Sequence, residues 1–414
     1  MRVVIVGAGV VGLSIAYHIK RMAPHYDILV VDMMSGAGMG DTGKSAAAFR
    51  TIFSSKLNRL LAKTTIDFYR DVQRGGWPLS MRFVGYLFLA TNSEVESLKP
   101  VIGELRTMGL AIDYVDPPKG IRLRVTEDEE AREMGLDDIA TGILIRDAGI
   151  LDPEKVLRYY EQQFLRLGGR VAFGVKVTSL LARPKKPLEI PGEPFAWQDY
   201  RIVGIQTASG SVEADAVVLA TGAWTGDLAA SLGYGLPLRP HKRHVFVVKA
   251  DGALRNLLYD DSLTGEGAMP FVILPRGIYV RPEPDEGNFW IGLADRRPYG
   301  FDEFGVDEAL WRYGIYPVLS KYIPAFEGKT PHNSWYGYYD ENVVDGVAVV
   351  DKLAEGLYVA AGTSGSGIMK ADAIGRLAAS LVLGKERAEL YGGVEVRTDA
   401  LAKNRCLEPE RLIL

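Results

Sequence analysis

Three groups of residues in this 414-residue chain have types and spacings that could do chemistry. The first is Gly7-Ala8-Gly9-Val10-Val11-Gly12, a G-x-G-x-x-G loop, with Asp32 about twenty residues further on. Gly7 permits a tight turn, Gly9 lets backbone approach a pyrophosphate, and Gly12 lets a helix pack closely on a strand. The amides of Val10 and Val11 then open a helix whose positive end faces the phosphates. Asp32, followed by Met33, can accept a ribose hydroxyl, and its charge disfavours a 2′-phosphate. The second group is the small-residue stretch Ser35–Arg50, with Thr42, Ser45, Ala46 and Ala47 between the cations Lys44 and Arg50. Small residues let backbone lie against a flat ligand, although alone the stretch reads rather as a flexible surface loop. The third is Tyr279 and Arg281, which alternation places on one face of a strand. The arginine fork matches a carboxylate, an edge salt bridge being the alternative.

These residues need elements to hold them. Arg2–Val6 is a continuous apolar run, the mark of a strand buried on both faces, and Leu13–Ile19 is helical in period. Ile28–Val31 is a second buried strand ending on Asp32, so the first group sits in a βαβ unit. Helical periodicity returns over Leu57–Val72, and Phe83–Ala90 reads as a strand. Ser93 with Glu96 predicts a capping box opening a helix towards Met108, and Thr126 with Glu129 predicts another. Asp152-Pro153 predicts a cap and first helical residue for a helix reaching Leu167. Val171–Thr178 predicts a strand, with Val177 near its end, and Ala182–Pro194 an exposed extension.

Tyr200–Thr207 and Ser211–Glu213 predict a hairpin. Ala214–Ala220 predicts a buried strand opening onto the turn Thr221-Gly222-Ala223-Trp224. From Leu238 to Trp335 the pattern suits a mostly antiparallel sheet. Gly356–Ala361 then runs into Gly362-Thr363-Ser364-Gly365-Ser366-Gly367-Ile368 and a helix over Ala371–Leu383. Three strand-to-glycine-turn units, widely spaced, suit one cofactor touched by discontinuous segments.

Bulk properties narrow the partners. The net charge of −4, with 48 basic and 52 acidic residues, gives no reason to expect nucleic acid. The single cysteine, Cys406, excludes an intramolecular disulfide and argues against a Cys-ligated metal, so no metal is expected. No apolar run approaches a membrane span, and the early glycine loop leaves no room for a leader. A cytoplasmic protein is expected, with peripheral attachment to a membrane left open.

The sequence resembles the D-amino-acid-oxidase-like flavoproteins, especially the branch of sarcosine oxidase, glycine oxidase and dye-linked L-proline dehydrogenase. The resemblance runs to about Gly384. It rests on Gly7–Gly12 with Asp32, Gly40–Arg50, Gly149–Pro153, Ala214–Trp224, Pro240–His244, Gly277–Pro282, Trp335–Tyr339 before Asp345-Gly346, and Gly362–Gly367. It implies FAD, with its adenosine on the Gly7–Gly12 unit, and hydride transfer from a carbon beside an amine to flavin N5. It implies a role for Arg50 against the substrate carboxylate or the flavin and active-site lining roles for Tyr336 and Tyr339, and makes Lys44 a candidate for the flavin's polar edge. Lys370 and Lys44 are further candidates for the substrate carboxylate.

Two departures from the family pattern matter. Many relatives carry a histidine where Ser366 stands, which weakens a hydroxy-acid oxidation needing a base there; His241 and His244 could substitute. The loop Ser35–Arg50 has no cysteine or histidine, so the flavin is expected to be non-covalent. The branch also places a lysine on the strand after the tyrosine-bearing one to help oxygen react. Here Trp290 stands at or beside that position, and Gly277–Leu293 contains no lysine.

The expected fold is α/β: a Rossmann-like FAD-binding domain (1–82, 150–232 and 345–390), a mostly antiparallel-sheet substrate domain (83–149 and 233–344), and a tail over 391–414. The expected function is FAD-dependent oxidation of a small amino acid, preferably a secondary amine such as L-proline or sarcosine. Electrons would pass to a dye, a quinone or an electron-transfer protein. An L-2-hydroxy-acid dehydrogenase and a non-catalytic flavin-binding assembly protein remain alternatives. The oligomeric state is left open.

Overall fold

The computed structural model describes residues 1–294, 298–302 and 304–410. Its first sheet has six strands, in the order Val349–Ala354, Leu357–Ala361, Ala216–Leu219, Arg2–Val6, Asp27–Val31 and Arg170–Ala172. All neighbours are parallel except the first pair. Arg2–Val6 lies in the middle with Val3, Val4 and Ile5 fully buried, as its unbroken apolar run demands. The helices Val10–Met22, Pro153–Arg166 and Ala371–Val382 cover one face, in a core built on Leu13, Ile15, Leu157 and Ile374. A three-stranded sheet of Val177–Pro184, Tyr200–Thr207 and Gly210–Glu213 covers the other, through Leu180, Ile202 and Ile205.

The second sheet has eight strands, in the order Asn333–Asn342, Leu238–Lys249, Asn288–Leu293, Ile278–Glu283, Phe271–Ile273, Tyr86–Ala90, Thr141–Ile145 and Ile112–Val115. Every pairing is antiparallel except Phe271–Ile273 with Tyr86–Ala90. The mixed α/β architecture is thus the expected one: a largely parallel sheet beside a mostly antiparallel one. No helix of the described residues is long and apolar enough to cross a membrane.

Local starts and stops differ from expectation in three places. The helix Asn92–Thr107 is capped by Thr91 and Glu94, not Ser93 and Glu96. Thr91 Oγ1 accepts from Glu94 N at 3.3 Å and Glu94 Oε2 accepts from Thr91 N at 2.8 Å. Glu96 instead pairs with Lys99 on the exposed face. The helix Glu129–Glu133 is capped by Asp128, because Thr126 is committed to Asp138. The strand expected over Val171–Thr178 is split: Gly174 turns with φ +70°, and Gly174 and Val175 donate to the carbonyls of Met34 and Asp32. That turn presses the chain against the end of the second strand. Asp152 caps Pro153–Arg166 as expected, accepting from Glu154 and Lys155.

Candidate cofactor and substrate site

The carboxyl ends of the central strands Arg2–Val6, Asp27–Val31 and Ala216–Leu219 open onto a cavity of about 460 Å3. Such crevices are where open α/β sheets take ligands. Its floor is the glycine loop, and three glycines there do different work. A Cβ on Gly7 would lie 2.3 Å from the Ala220 carbonyl oxygen, and one on Gly12 would lie 2.0 Å from that of Gly7. Both are dictated by packing, and Gly12 does not line the cavity. A Cβ on Gly9 would meet only Thr42 Oγ1, at 3.2 Å, so the protein leaves room there and the space belongs to the cavity.

Gly9 is also the N-cap of Val10–Met22, so the first-turn amides lie beyond reach of any helical carbonyl. Thr42 Oγ1 takes the Val10 N–H at 3.1 Å, and Val11 lines the cavity beside it. Asp32 accepts the amides of Ala8 at 2.7 Å and Met34 at 2.8 Å, one on each oxygen. A carboxylate oxygen has two lone pairs, so capacity for hydroxyls remains on both. These features fit a dinucleotide: a pyrophosphate-sized gap at Gly9, a helix terminus, and an acid at the end of the second strand.

Other segments complete the walls. Met33, Thr42, Lys44, Ser45, Ala46 and Val177 line the cavity from the nucleotide side. Thr221, Gly222 and Trp224 line it from the turn after Ala216–Leu219, and Gly365, Gly367 and Ile368 from the last glycine turn. Gly362 stays out of the lining; its φ of +74° starts the turn, and its N–H donates to Asp340 Oδ2 at 2.8 Å. Asp41 lies inside the Gly40–Arg50 motif, but nothing in the sequence singles it out as a site residue. Its Oδ1 accepts from Tyr338 N at 2.8 Å, and burial raises its carboxyl to about 6.

A smaller chamber of about 90 Å3 shares Ser45, Ala46, Arg243, Tyr279, Tyr339 and Gly365 with the large one. Arg50, Phe53, Tyr86, Phe271 and Met369 add to its wall, with Ala47, Ser366 and Glu410. Arg50 is buried, donates to the Ile52 carbonyl at 2.7 Å and lies 4.5 Å from the Phe53 ring centroid. Burial lowers its pKa, and the neighbouring Tyr86, Glu410 and Tyr339 oppose that. Burial pushes the Tyr279 and Tyr339 phenols up, so both are neutral donors at ordinary pH. Arg243 stands 5.4 Å from the Tyr339 ring centroid and lines both spaces.

Several expected site residues stand elsewhere. Arg281 shares a face with Tyr279 but lines neither space: it is buried against Glu283, the Leu151 carbonyl and the Trp290 ring. Lys370 is wholly buried behind the glycine turn, donating to Asn58 Oδ1 at 2.7 Å and Ser366 Oγ at 2.6 Å. Tyr336 lies outside the lining, with the ammonium groups of Lys44 and Lys242 at 5.5 and 4.4 Å from its ring centroid. His244 borders the small chamber, but its Nε2 accepts the Asp307 amide at 3.2 Å. His241 is bound to Glu341 at 2.6 Å and borders neither space. Among the described residues no cluster of His, Cys, Asp and Glu could hold a metal.

Residues 2–381 match the family described as FAD dependent oxidoreductase (DAO). The chain belongs to that family. Its cofactor is therefore FAD, and the large cavity is where the residues fit it. Among curated relatives, FAD-dependent oxidoreductase domain-containing protein 1 of Xenopus laevis is 27% identical, over 92% of this chain and 79% of its own length. The 4-methylaminobutanoate oxidase (formaldehyde-forming) of Paenarthrobacter nicotinovorans is also 27% identical over 92% of this chain, which spans 44% of that enzyme. Among solved structures, L-proline dehydrogenase from P. horikoshii superposes with a TM-score of 0.72 at 22% identity, covering 93% of this chain and 94% of that one. Glycine oxidase from Geobacillus kaustophilus gives 0.73 at 20% identity, covering 98% and 99%. These two likenesses concern the fold.

Proposed function

We propose that this enzyme oxidises a small amino acid carrying a secondary amine, of the proline or sarcosine kind, and passes the electrons to a quinone, a dye or an electron-transfer protein. One observation carries the reading: two arginines, Arg50 and Arg243, face a 90 Å3 chamber that opens beside the FAD cavity. A guanidinium fork suits a carboxylate. The volume suits a small side chain, and the rings of Tyr86, Phe271, Tyr279 and Tyr339 line much of the remainder. Relatives named for 4-methylaminobutanoate and glycine oxidation support the amine class.

When bound, FAD supplies a two-electron acceptor. The protein's part is to bind and orient. Arg50 and Arg243 would fix the carboxylate, Tyr279 and Tyr339 would bound the amine's position, and the rings would keep the site dry. An amine entering in its neutral form needs no general base. A hydroxy acid does, and neither Ser366 nor His244 is placed to serve, Ser366 Oγ being committed to Thr363 O and Lys370. That favours the amine over the 2-hydroxy acid.

The test is anaerobic. Purified enzyme is mixed with proline, sarcosine, lactate or 2-hydroxyglutarate while flavin absorbance is followed. Bleaching by the amines alone is the expected result, and bleaching by the hydroxy acids alone would overturn it. A flavin that no substrate bleaches would mark an assembly protein instead.

A further inference from the structure

The residues after Leu390, a tail by sequence expectation, return to the site. Glu395–Arg397 pairs with Arg387–Glu389, and Leu401 is buried, its carbonyl taking the Val350 N–H at 2.9 Å. Arg405 then clamps Asp345 through two nitrogens, both at 2.9 Å, and donates to Val347 O at 2.7 Å. Glu410 N donates to Asp345 O at 2.9 Å, which aims its side chain inward.

The Glu410 carboxylate is buried at the start of the helix Lys56–Arg74. Oε1 accepts from Ser54 N at 2.6 Å and Ser54 Oγ at 2.8 Å; Oε2 accepts from Ser55 N at 3.0 Å and Asn58 Nδ2 at 3.1 Å. A carboxylate has about four lone-pair sites, and these four donors fill them. Burial raises its carboxyl, but the hydrogen bonds from Asn58, Ser54 and Ser55 outweigh that and hold it below the ordinary range. Glu410 is thus a fixed anion with no site left for a substrate ammonium. Asn58 is fixed in turn by Lys370, whose second bond goes to Ser366 in the same chamber wall. A chain of buried groups, Glu410 to Asn58 to Lys370 to Ser366, joins the returning segment to the last glycine turn.

We propose that Glu410 is the end wall of the substrate chamber and sets the largest amine the enzyme accepts, with the Arg405–Asp345 clamp holding that wall in place. The inference rests on the chamber being the substrate site, as argued above. A side chain at Glu410 limits the space that Arg50, Phe53, Tyr86 and Met369 leave open. Taking it away extends the chamber without removing the arginines proposed to meet the carboxylate or the groups that line the cofactor cavity.

The experiment uses full-length enzyme with FAD bound and compares wild type with Glu410→Ala, Glu410→Gln and Arg405→Ala. The first reading is the dissociation constant, from flavin absorbance, of a small carboxylate (2-furoate) and a large one (2-naphthoate). The second is kcat/KM for sarcosine against N-methylphenylalanine. In Glu410→Ala and Arg405→Ala the preference should shift towards the large partner by about tenfold, the scale of a pocket that gains or loses a small group. Glu410→Gln keeps the wall's volume and should shift the size preference less than Glu410→Ala, its amide nitrogen meeting two of the four donors and costing stability rather than opening space. Equal change for both sizes, or none in folded Glu410→Ala, overturns the proposal. Should Glu410→Ala fail to fold, the size preference of Arg405→Ala decides in the same way. If no amine bleaches any variant, the amine reading fails, while the carboxylate constants still decide the wall.

Discussion

Asp32 accepts the Ala8 N–H at 2.7 Å, tying the end of the second strand to the middle of the glycine loop. With the Met34 N–H on its other oxygen, the carboxylate holds the loop's shape before any ligand arrives. Gly9→Val should therefore give a folded, colourless protein, because a Cβ there meets only Thr42 Oγ1 and the branched side chain extends into the pyrophosphate gap. Gly12→Ala should fail at the level of folding, its Cβ being 2.0 Å from a backbone oxygen. In wild type, acid precipitation should release all the yellow colour, since no cysteine or histidine stands in Ser35–Arg50. Flavin retained by Gly9→Val, or remaining with the acid pellet, contradicts the respective claim.

Arg50 and Arg281 are both candidates for the carboxylate on sequence grounds, and geometry separates them. Arg50 borders the chamber with Arg243, whereas Arg281 lines neither space and sits against Glu283 and the Leu151 carbonyl. Arg50→Met and Arg243→Met should each weaken a carboxylate analogue about ten- to a hundredfold, the worth of one charge-assisted bond. Arg281→Met should instead lower stability, by removing the partner of half-buried Glu283 and the donor to the Leu151 carbonyl. Titrating the flavin spectrum and comparing urea midpoints reads both; a weakened analogue only in Arg281→Met would reverse the assignment.

Proton uptake at Asp41 should be visible in cofactor binding. Its pKa in the folded apoprotein is raised by burial from 3.8 to about 6, so the folded state binds more protons than the unfolded one between those values. Stability from this group is full below about 4 and is lost as pH rises through about 6. A charged Asp41 also opposes an anionic dinucleotide in the same cavity. FAD affinity of the apoprotein should fall from about pH 5 to about pH 7, and Asp41→Asn should flatten that dependence. An identical slope in both proteins would remove Asp41 from the account.

What is legible in the sequence is what is local. The glycine loop, the Asp152 cap and the βαβ unit depend on residues a few positions apart, so spacing alone reveals them. The capping box slips by two residues at Thr91 because several adjacent polar residues satisfy the same pattern, and only helix phase chooses among them. Asp41 and Glu410 are invisible for another reason. Asp41 meets Tyr338 across 297 residues, and Glu410 meets Asn58 across 352. Nothing in either neighbourhood marks such a partner; sheet register and the Arg405 clamp create it. Arg243 lies inside the Pro240–His244 motif, but only the pairing of its strand with Asn333–Asn342 turns it towards Tyr339.

Oxygen reactivity turns on which cation, if any, reaches the reacting face. The strand Asn288–Leu293 carries Trp290 where the resemblance leads one to expect a lysine. Its ring lies 4.1 Å from the Arg281 guanidinium and 5.1 Å, edge-on, from Trp335. Arg281 is committed to Glu283 and to backbone, and it lines neither space, so its charge is not presented to the site. Lys242 is likewise spent, on Asp302 and the carbonyls of Phe304 and Gly305. A cation stabilises negative charge developing on oxygen strongly in a dry site, and one such group is worth about 10²–10³ in rate. Enzyme reduced by its substrate without air and then mixed with aerated buffer should therefore reoxidise far more slowly than it turns over with a dye. Lys44 lines the large cavity, Arg50 the small chamber and Arg243 both; Lys44, which the proposed carboxylate does not occupy, is the rival source of charge tested here. If reoxidation in wild type is as fast as dye-linked turnover and Lys44→Met slows it, the enzyme is an oxidase that has moved its cation from the strand to the loop.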